Sequence, residues 1–298
     1  MRTRPEELQI LVTGANGQLG RALQALPVAS AHYHFTTRAQ LDITQAQSIE
    51  HWLDAHPTDA LINAAAYTAV DRASREPDLA MAANARAPGL LAQICASRGV
   101  RLFHISTDYV FDGTGDRAHR EDDATAPQNT YGRSKLLGEQ AALCADPSAL
   151  ILRTSWVFSD HPPNFVCTML HLGAQYRSLQ VVADQIGGPT WAGHLARVLH
   201  QLVQRPSATT PGGIYHFSGN PWVSWYEFAQ EIFAQAQACG QMSPAPALQA
   251  IRSDQWPTPE PRPANSRLDT HKLEALLGPL ERDWKKGLSA VLATVQSR

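Results

Sequence analysis

Short apolar runs alternate along the chain with longer stretches in which apolar residues recur every three or four positions. Ile10-Leu-Val12 precedes a helical pattern from about Gly17, His34-Phe35 precedes one from Thr44, and Leu61-Ile62-Asn63 precedes one from Leu79 to Ser97. Leu102-Phe-His-Ile105, a helix carrying Tyr131, and Leu150-Ile-Leu152 follow. Apolar runs too short for helices, separated by helical periodicity, predict βαβ units and a parallel sheet. The expected fold class is α/β, a Rossmann-like doubly wound parallel sheet with a smaller C-terminal α/β substrate lobe. Ligands of such sheets sit beyond the carboxyl ends of the strands, where Thr13, Asn63 and Ser106 emerge.

Past Leu152 the punctuation changes, and proline and glycine become frequent. Gly187-Gly-Pro189-Thr190 precedes a helical pattern near Trp191, Gly212-Gly213 precedes a short strand through Phe217, and Ser224-Trp-Tyr-Glu227 reads as a capping box opening a helix. Residues 244–263 are proline-rich and read as an irregular surface connection. No internal repeat is visible. The expected division is a dinucleotide-binding domain over 1–178 and a substrate lobe over 179–298, the two interleaved.

Composition narrows the partners. The chain has 298 residues, 44% of them hydrophobic and 17% charged, with net charge -2 and no basic run. A large core is affordable, and neither nucleic acid nor an anionic membrane is an expected partner. No apolar stretch reaches the ~18 residues that span a bilayer, and the first seven residues lead toward a strand rather than a signal-peptide core. The cytoplasm is the expected compartment. Cys95, Cys144, Cys167 and Cys239 form no CxxC and are read as reduced, mostly buried packing thiols. The 12 histidines lack HxxxH or HExxH spacing, so no metal site is expected.

Candidate chemistry gathers in three places. Gly14-Ala-Asn16-Gly17-Gln18-Leu19-Gly20 follows a strand and opens a helix, the setting in which glycines admit a pyrophosphate to a helix N-terminus. Its GxxGxxG spacing also suits a plain strand-turn-helix. The second strand ends at Thr37-Arg38 with no acid, which favours a 2′-phosphate and NADPH over NADH; Arg38 could equally be a solvated charge. Asp42 could hold an adenine amino group or serve as a helix-entry acid. Thr107 follows the fourth strand, and Tyr131 and Lys135 lie one helical turn apart on the next helix. A free phenol titrates near ~10, and a nearby ammonium lowers that value, so Lys135 is a candidate tuner of Tyr131. A hydroxyl at Thr107 could orient a carbonyl, or merely end a strand.

The glycine pattern, the Ser106-Thr107 pair and Tyr131-xxx-Lys135 resemble the extended short-chain dehydrogenase/reductases that act on nucleotide sugars. Asn63-Ala-Ala-Ala-Tyr67-Thr-Ala-Val-Asp71, Ser106-Thr-Asp-Tyr-Val-Phe-Asp-Gly113, Arg153-Thr-Ser-Trp156 and Arg262-Pro-Ala-Asn-Ser-Arg-Leu268 narrow the likeness to the dTDP-4-dehydrorhamnose reductase family, over nearly the whole chain. That resemblance implies NADPH-dependent reduction of a 4-keto dTDP-sugar in dTDP-rhamnose and lipopolysaccharide O-antigen biosynthesis, with NADH as a second accepted cofactor. It assigns Thr107, Tyr131 and Lys135 to catalysis. To the cofactor it gives Gly14, Asn16, Gly17, Gln18, Leu19, Gly20, Asp42, Ile43, Ala65, Ala66, Tyr67, Asn84, Tyr131 and Lys135, beside Arg38, which the end of the second strand suggests. To the sugar it gives Thr68, Val70, Thr107, Asp108, Tyr131 and Trp156. Related 4,6-dehydratases carry a second acid where this chain has Tyr109, which disfavours dehydration. Some family members are metal-bridged dimers through glutamates. The corresponding Arg21-Ala22-Leu23 and Trp191-Ala-Gly193-His194 contain none, so a monomer or weak homodimer without metal is expected. The alternatives are a reductase or epimerase of another 4-keto nucleotide sugar, and a regulatory subunit of the methionine adenosyltransferase type.

Overall fold

A computed structural model describes residues 7–27 and 31–296. Residues 1–6 of the segment expected to lead into the first strand lie outside the described residues. The first half runs β1 (Leu8–Thr13), α1 (Gln18–Gln24), β2 (Ala31–Thr36), α2 (Ala46–Ala55), β3 (Ala60–Asn63), α3 (Val70–Ala73), α4 (Pro77–Ala80), a π turn (Met81–Arg86), α5 (Ala87–Ser97), β4 (Arg101–Thr107), α6 (Thr130–Ala145) and β5 (Leu150–Thr154). There follow β6 (Val157–Phe158), α7 (Phe165–Gln175), β7 (Ser178–Val182), β8 (Ile186–Gly187), β9 (Thr190–Trp191), α8 (Ala192–Gln204) and β10 (Gly213–His216). The chain ends with β11 (Val223–Ser224), α9 (Trp225–Ala238), β12 (Ala247–Ile251), β13 (Asn265–Ser266), α10 (His271–Leu277) and α11 (Trp284–Gln296).

The main sheet has six parallel strands in the order β10-β5-β4-β3-β1-β2. Apolar strand residues work on both faces because successive side chains point opposite ways. Ile10, Val12, Ile62, Phe103 and Leu152 face α1 and α8, whereas Leu11, Leu61, Leu102 and Ile151 face α2, α5 and α6. Strand order reverses about β1, which lies between β2 and β3. A crevice opens at such a switch point.

A second, smaller core forms where α7, α9 and α11 pack around Phe158, Phe228, Ile232 and Trp284. Its short sheets pair β12 with β7, β6 with β9, and β8 with β11 and β13. α8 and β10 lie beyond residue 178 yet belong with the main sheet: β10 pairs with β5, and Leu195 and Leu199 of α8 are buried in the same core as Ile10 and Val12 of β1. Conversely, α7 lies before residue 178 and packs in the second core. The chain therefore crosses between the two cores more than once.

Two expectations need correction. The proline-rich stretch 244–263 is not irregular throughout, because Ala247–Ile251 forms a strand parallel to β7. Only Cys95 is buried among the cysteines; Cys144 and Cys239 are exposed and Cys167 is intermediate. Cys144 lies near the end of α6 and Cys239 caps the end of α9, where a residue contributes little to either core.

Candidate active site

The strands of the main sheet end in buried polar residues, Thr13, Asn63, Ser106, Thr107 and Thr154, below a cleft of about 840 Å³. A cavity of that size suits a dinucleotide-scale ligand. Ser106 Oγ, Asp108 Oδ2 and Thr154 Oγ1 are buried without hydrogen-bond partners in the protein, and all three residues line the cleft. Buried polar atoms are rarely left so, and their convergence marks where a polar ligand completes the structure.

The glycine turn forms one wall. Gly14 has φ +75, and a Cβ there would stand 2.7 Å from the Ala65 nitrogen; on Gly20 it would stand 2.4 Å from the Gly14 carbonyl oxygen. Glycine at these positions lets β1, α1 and the β3 exit pack together. Gly17 caps α1 with no side-chain hydrogen bond, and no acid occupies the first turn. The leading amides therefore remain available to an anion. Asn16, Gln18 and Leu19 line the same wall.

At the far end stand Arg38, Leu41, Asp42 and Ile43. The Asp42 carboxylate accepts the Thr44 amide at 2.9 Å and the Thr44 hydroxyl at 2.7 Å, and Arg38 Nε donates to its other oxygen at 3.3 Å. Burial alone would raise this carboxyl, but the Thr44 and Arg38 contacts hold it below the usual range. Asp42 is thus a turn-forming acid that also faces the cleft.

Ala65, Ala66, Tyr67, Thr68 and Val70 line the cleft where β3 ends. Asn84 does not reach it. Its amide clamps the backbone of Tyr67, accepting from the Tyr67 nitrogen and donating to the Tyr67 oxygen, both at 2.8 Å, and donates to Ser134 Oγ at 3.1 Å. The π turn delivers this side chain; Asn84, like Gly20, shapes the wall from behind.

The reactive end is built by β4 and α6. Thr107 closes β4, and its hydroxyl accepts the Tyr109 amide at 3.3 Å and donates to Asp108 Oδ1 at 3.0 Å. Asn129 caps α6 by accepting the Gly132 amide at 2.8 Å, which sets Tyr131 in the first turn and Lys135 one turn later. Tyr131 is half-buried, its ring edge-on to Tyr109 with centroids 5.4 Å apart. Burial pushes its phenol up to about 12, against a lowering contact with Thr107 and in step with the negative charge of Asp108. Asp108 itself is driven up to about 6 by burial, offset in part by the Ser266 and Thr107 hydroxyls.

Lys135 makes its hydrogen bonds to β4. Lys135 Nζ donates to the Ile105 carbonyl at 2.6 Å and lies 3.1 Å from His104 Nε2, and burial lowers it to about 8. Lys135 Nζ is thus held at β4, and the Tyr131 phenol, raised by burial, stays protonated at neutral pH.

Trp156 closes the other side with a left-handed backbone, φ 49, uncommon for a large residue. Its indole stacks on Trp225, centroids 3.5 Å apart and planes 11° from parallel. Strained backbone persists where surrounding structure fixes it, often at ligand sites. Tyr109, Ser155 and Trp225 also line the cleft and were not foreseen. Trp225 comes from a helix 69 residues further along, and no local pattern joins it to Trp156.

The family model described as the RmlD substrate binding domain matches residues 8–297. A dTDP-4-dehydrorhamnose reductase of Aggregatibacter actinomycetemcomitans is 42% identical over 96% of this chain and 98% of that protein. Among solved structures, a dTDP-4-dehydrorhamnose reductase from Clostridium acetobutylicum aligns with TM-score 0.89 at 36% identity, covering 97% of this chain and all of that one. The Bacillus anthracis reductase, solved in complex with NADP, aligns with TM-score 0.88 at 33% identity over 97% of this chain and 99% of that one.

Proposed function

This chain belongs to the family of the RmlD substrate binding domain, and on that premise we propose that it is an NADPH-dependent dTDP-4-dehydrorhamnose reductase. It reduces the C4 ketone of dTDP-4-dehydro-β-L-rhamnose to the alcohol, the last step of dTDP-L-rhamnose synthesis. The observation that carries the reading is the meeting, on one cleft, of a helix start without a side-chain cap, the Thr107-Tyr131 pair and the Trp156-Trp225 stack.

Gly14 to Leu19 and the α1 amides fit the pyrophosphate of the cofactor, and Arg38 fits a 2′-phosphate at the cleft mouth. NADPH, when bound, supplies the hydride. Tyr131, protonated because burial raises it, donates its proton to the C4 oxygen as negative charge develops there. Thr107 orients the ketone toward the phenol, and Lys135 supports ribose hydroxyls near Tyr131. Thr68, Val70, Asp108 and Trp156 are assigned to the sugar nucleotide. Tyr109, a phenol raised above its usual range, stands where elimination of water would require a carboxylate. The cytoplasm is the compartment proposed, and no described helix is long and apolar enough to cross a membrane.

The test is a coupled assay in which the 4-keto sugar nucleotide is generated enzymatically and NADPH absorbance is followed, with the product identified by NMR. Formation of dTDP-L-rhamnose is expected. Consumption of NADPH with a different C4 epimer, or none at all, contradicts the assignment.

A further inference from the structure

The Trp156 indole is held from both faces. On one side the Trp225 indole lies against it, 11° from parallel and 3.5 Å between centroids. On the other stands the backbone of Gly187, where an added Cβ would come 2.7 Å from Cε2 and 3.0 Å from Cδ2 of Trp156. Those two carbons share the bond at which the rings of the indole fuse. Nothing approaches both of them within the ring plane, so Gly187 lies over a face. Trp225 already fills one face at van der Waals distance, and Gly187 therefore covers the opposite one.

The groups that grip the ring are themselves fixed. β8 and β11 pair with Gly187 opposite Val223, and Trp225 follows β11 directly as the first residue of α9. Ser224 caps that helix in a capping box: its hydroxyl accepts the Glu227 amide at 3.1 Å, and the Glu227 carboxylate accepts the Ser224 amide at 2.7 Å. Trp225 Nε1 donates to Gln185 Oε1 at 3.2 Å, and Phe165 packs on the Trp225 ring with centroids 4.6 Å apart. Trp156, by contrast, sits in left-handed backbone, which persists only where its surroundings hold it.

We propose that Trp225 is a positioning residue for the sugar end of the cleft: with Gly187 it grips Trp156 by both faces, so that Trp156 meets the sugar by its edge and not as a stacking platform. This inference rests on the reading of Trp156 as a sugar contact. Trp156 lines the cleft, and with both faces taken its edge is what it offers there. The edge is the positive part of an aromatic ring and in an indole carries the single N–H donor, so the group it fits is an oxygen of the sugar.

The test is a double-mutant cycle of Trp156→Ala and Trp225→Ala, read as kcat and KM for the 4-keto sugar nucleotide beside NADPH affinity by calorimetry. Trp225→Ala is expected to raise KM about tenfold, with kcat and NADPH affinity little changed, and Trp225→Phe, which keeps a ring on that face, to restore most of the loss. If Trp225 acts through Trp156, the double variant is no worse than Trp156→Ala alone. Additive effects overturn the proposal, because Trp225 is then an independent contact, and so does an unchanged KM in Trp225→Ala. Should that variant not fold, Gly187→Ala decides by pressing on the ring from its other face: a similar rise in KM supports the grip, and an unchanged KM overturns it. Failure of the underlying reading shows separately, as a wild-type KM in Trp156→Ala.

Discussion

At the scale of single residues, environment decides what each group does. Spacing alone placed Tyr131 and Lys135 on one helical face, and that relation holds, yet the lysine turns into the sheet toward Ile105 and His104. Spacing carries direction along a helix but not the depth of a pocket, so the raised phenol was illegible in the sequence. Arg38 was legible, and it sits 78% exposed at the cleft mouth against Asp42. Arg38→Ala should lower the NADPH-to-NADH ratio of kcat/KM by about tenfold, the size of one charge-assisted contact; an unchanged ratio would make Arg38 a solvated charge. Asp108 gives a two-sided pH expectation. Its folded value of about 6 exceeds the ordinary 3.8, so between those values the folded state holds a proton that the unfolded chain has lost. Lowering the pH through that window therefore strengthens folding at this residue. Removing the carboxylate that would accept a sugar hydroxyl should at the same time raise the KM for the sugar nucleotide. A pH-KM profile in Asp108→Asn should lose this limb; retention of it would assign the limb elsewhere.

Elements explain why motif residues that touch no ligand are where they are. Arg153, read as part of a family motif, is 1% exposed and forms a buried pair with Glu139 of α6, Nη2 to Oε2 at 2.7 Å. Glu139→Gln leaves that guanidinium uncompensated and should cost about 3 kcal/mol, read as a lower denaturant midpoint at unchanged slope; a neutral effect would mean water reaches the site. Gly138 lies against the π turn, where an added Cβ would stand 1.9 Å from the Asn84 oxygen. The helix that carries Tyr131 and the turn that clamps Tyr67 are thus packed as one unit. Periodicity revealed the long helix from 79 to 97 but not its π turn, since a single extra residue per turn barely disturbs an apolar stripe. The strand Ala247–Ile251 was hidden for another reason: proline flanks it and its residues are mostly exposed, so no alternation appears.

For the whole molecule, the parallel sheet was readable because its strands are buried on both faces and each is followed by a helix. The second core was harder to read, for its strands are two to five residues long and draw on β7, β8 and β12 from distant parts of the chain. The path explains the substrate end of the cleft: Trp156, two residues past β5 of the main sheet, stacks on Trp225 of α9, and both rings pack against the second core. With no glutamate at Arg21-Ala22-Leu23 or Trp191-Ala-Gly193-His194, the chain is proposed to be a monomer or weak homodimer that magnesium leaves unchanged. Light scattering with and without the ion checks this, and a metal-dependent doubling of mass would refute it. The central claim is that the Tyr131 phenol delivers the proton to the C4 oxygen. Its most direct measurement is the turnover of Tyr131→Phe beside its NADPH affinity: a fall in kcat of about 10² or more with affinity retained is expected, and near wild-type turnover in a folded, NADPH-binding variant would contradict it.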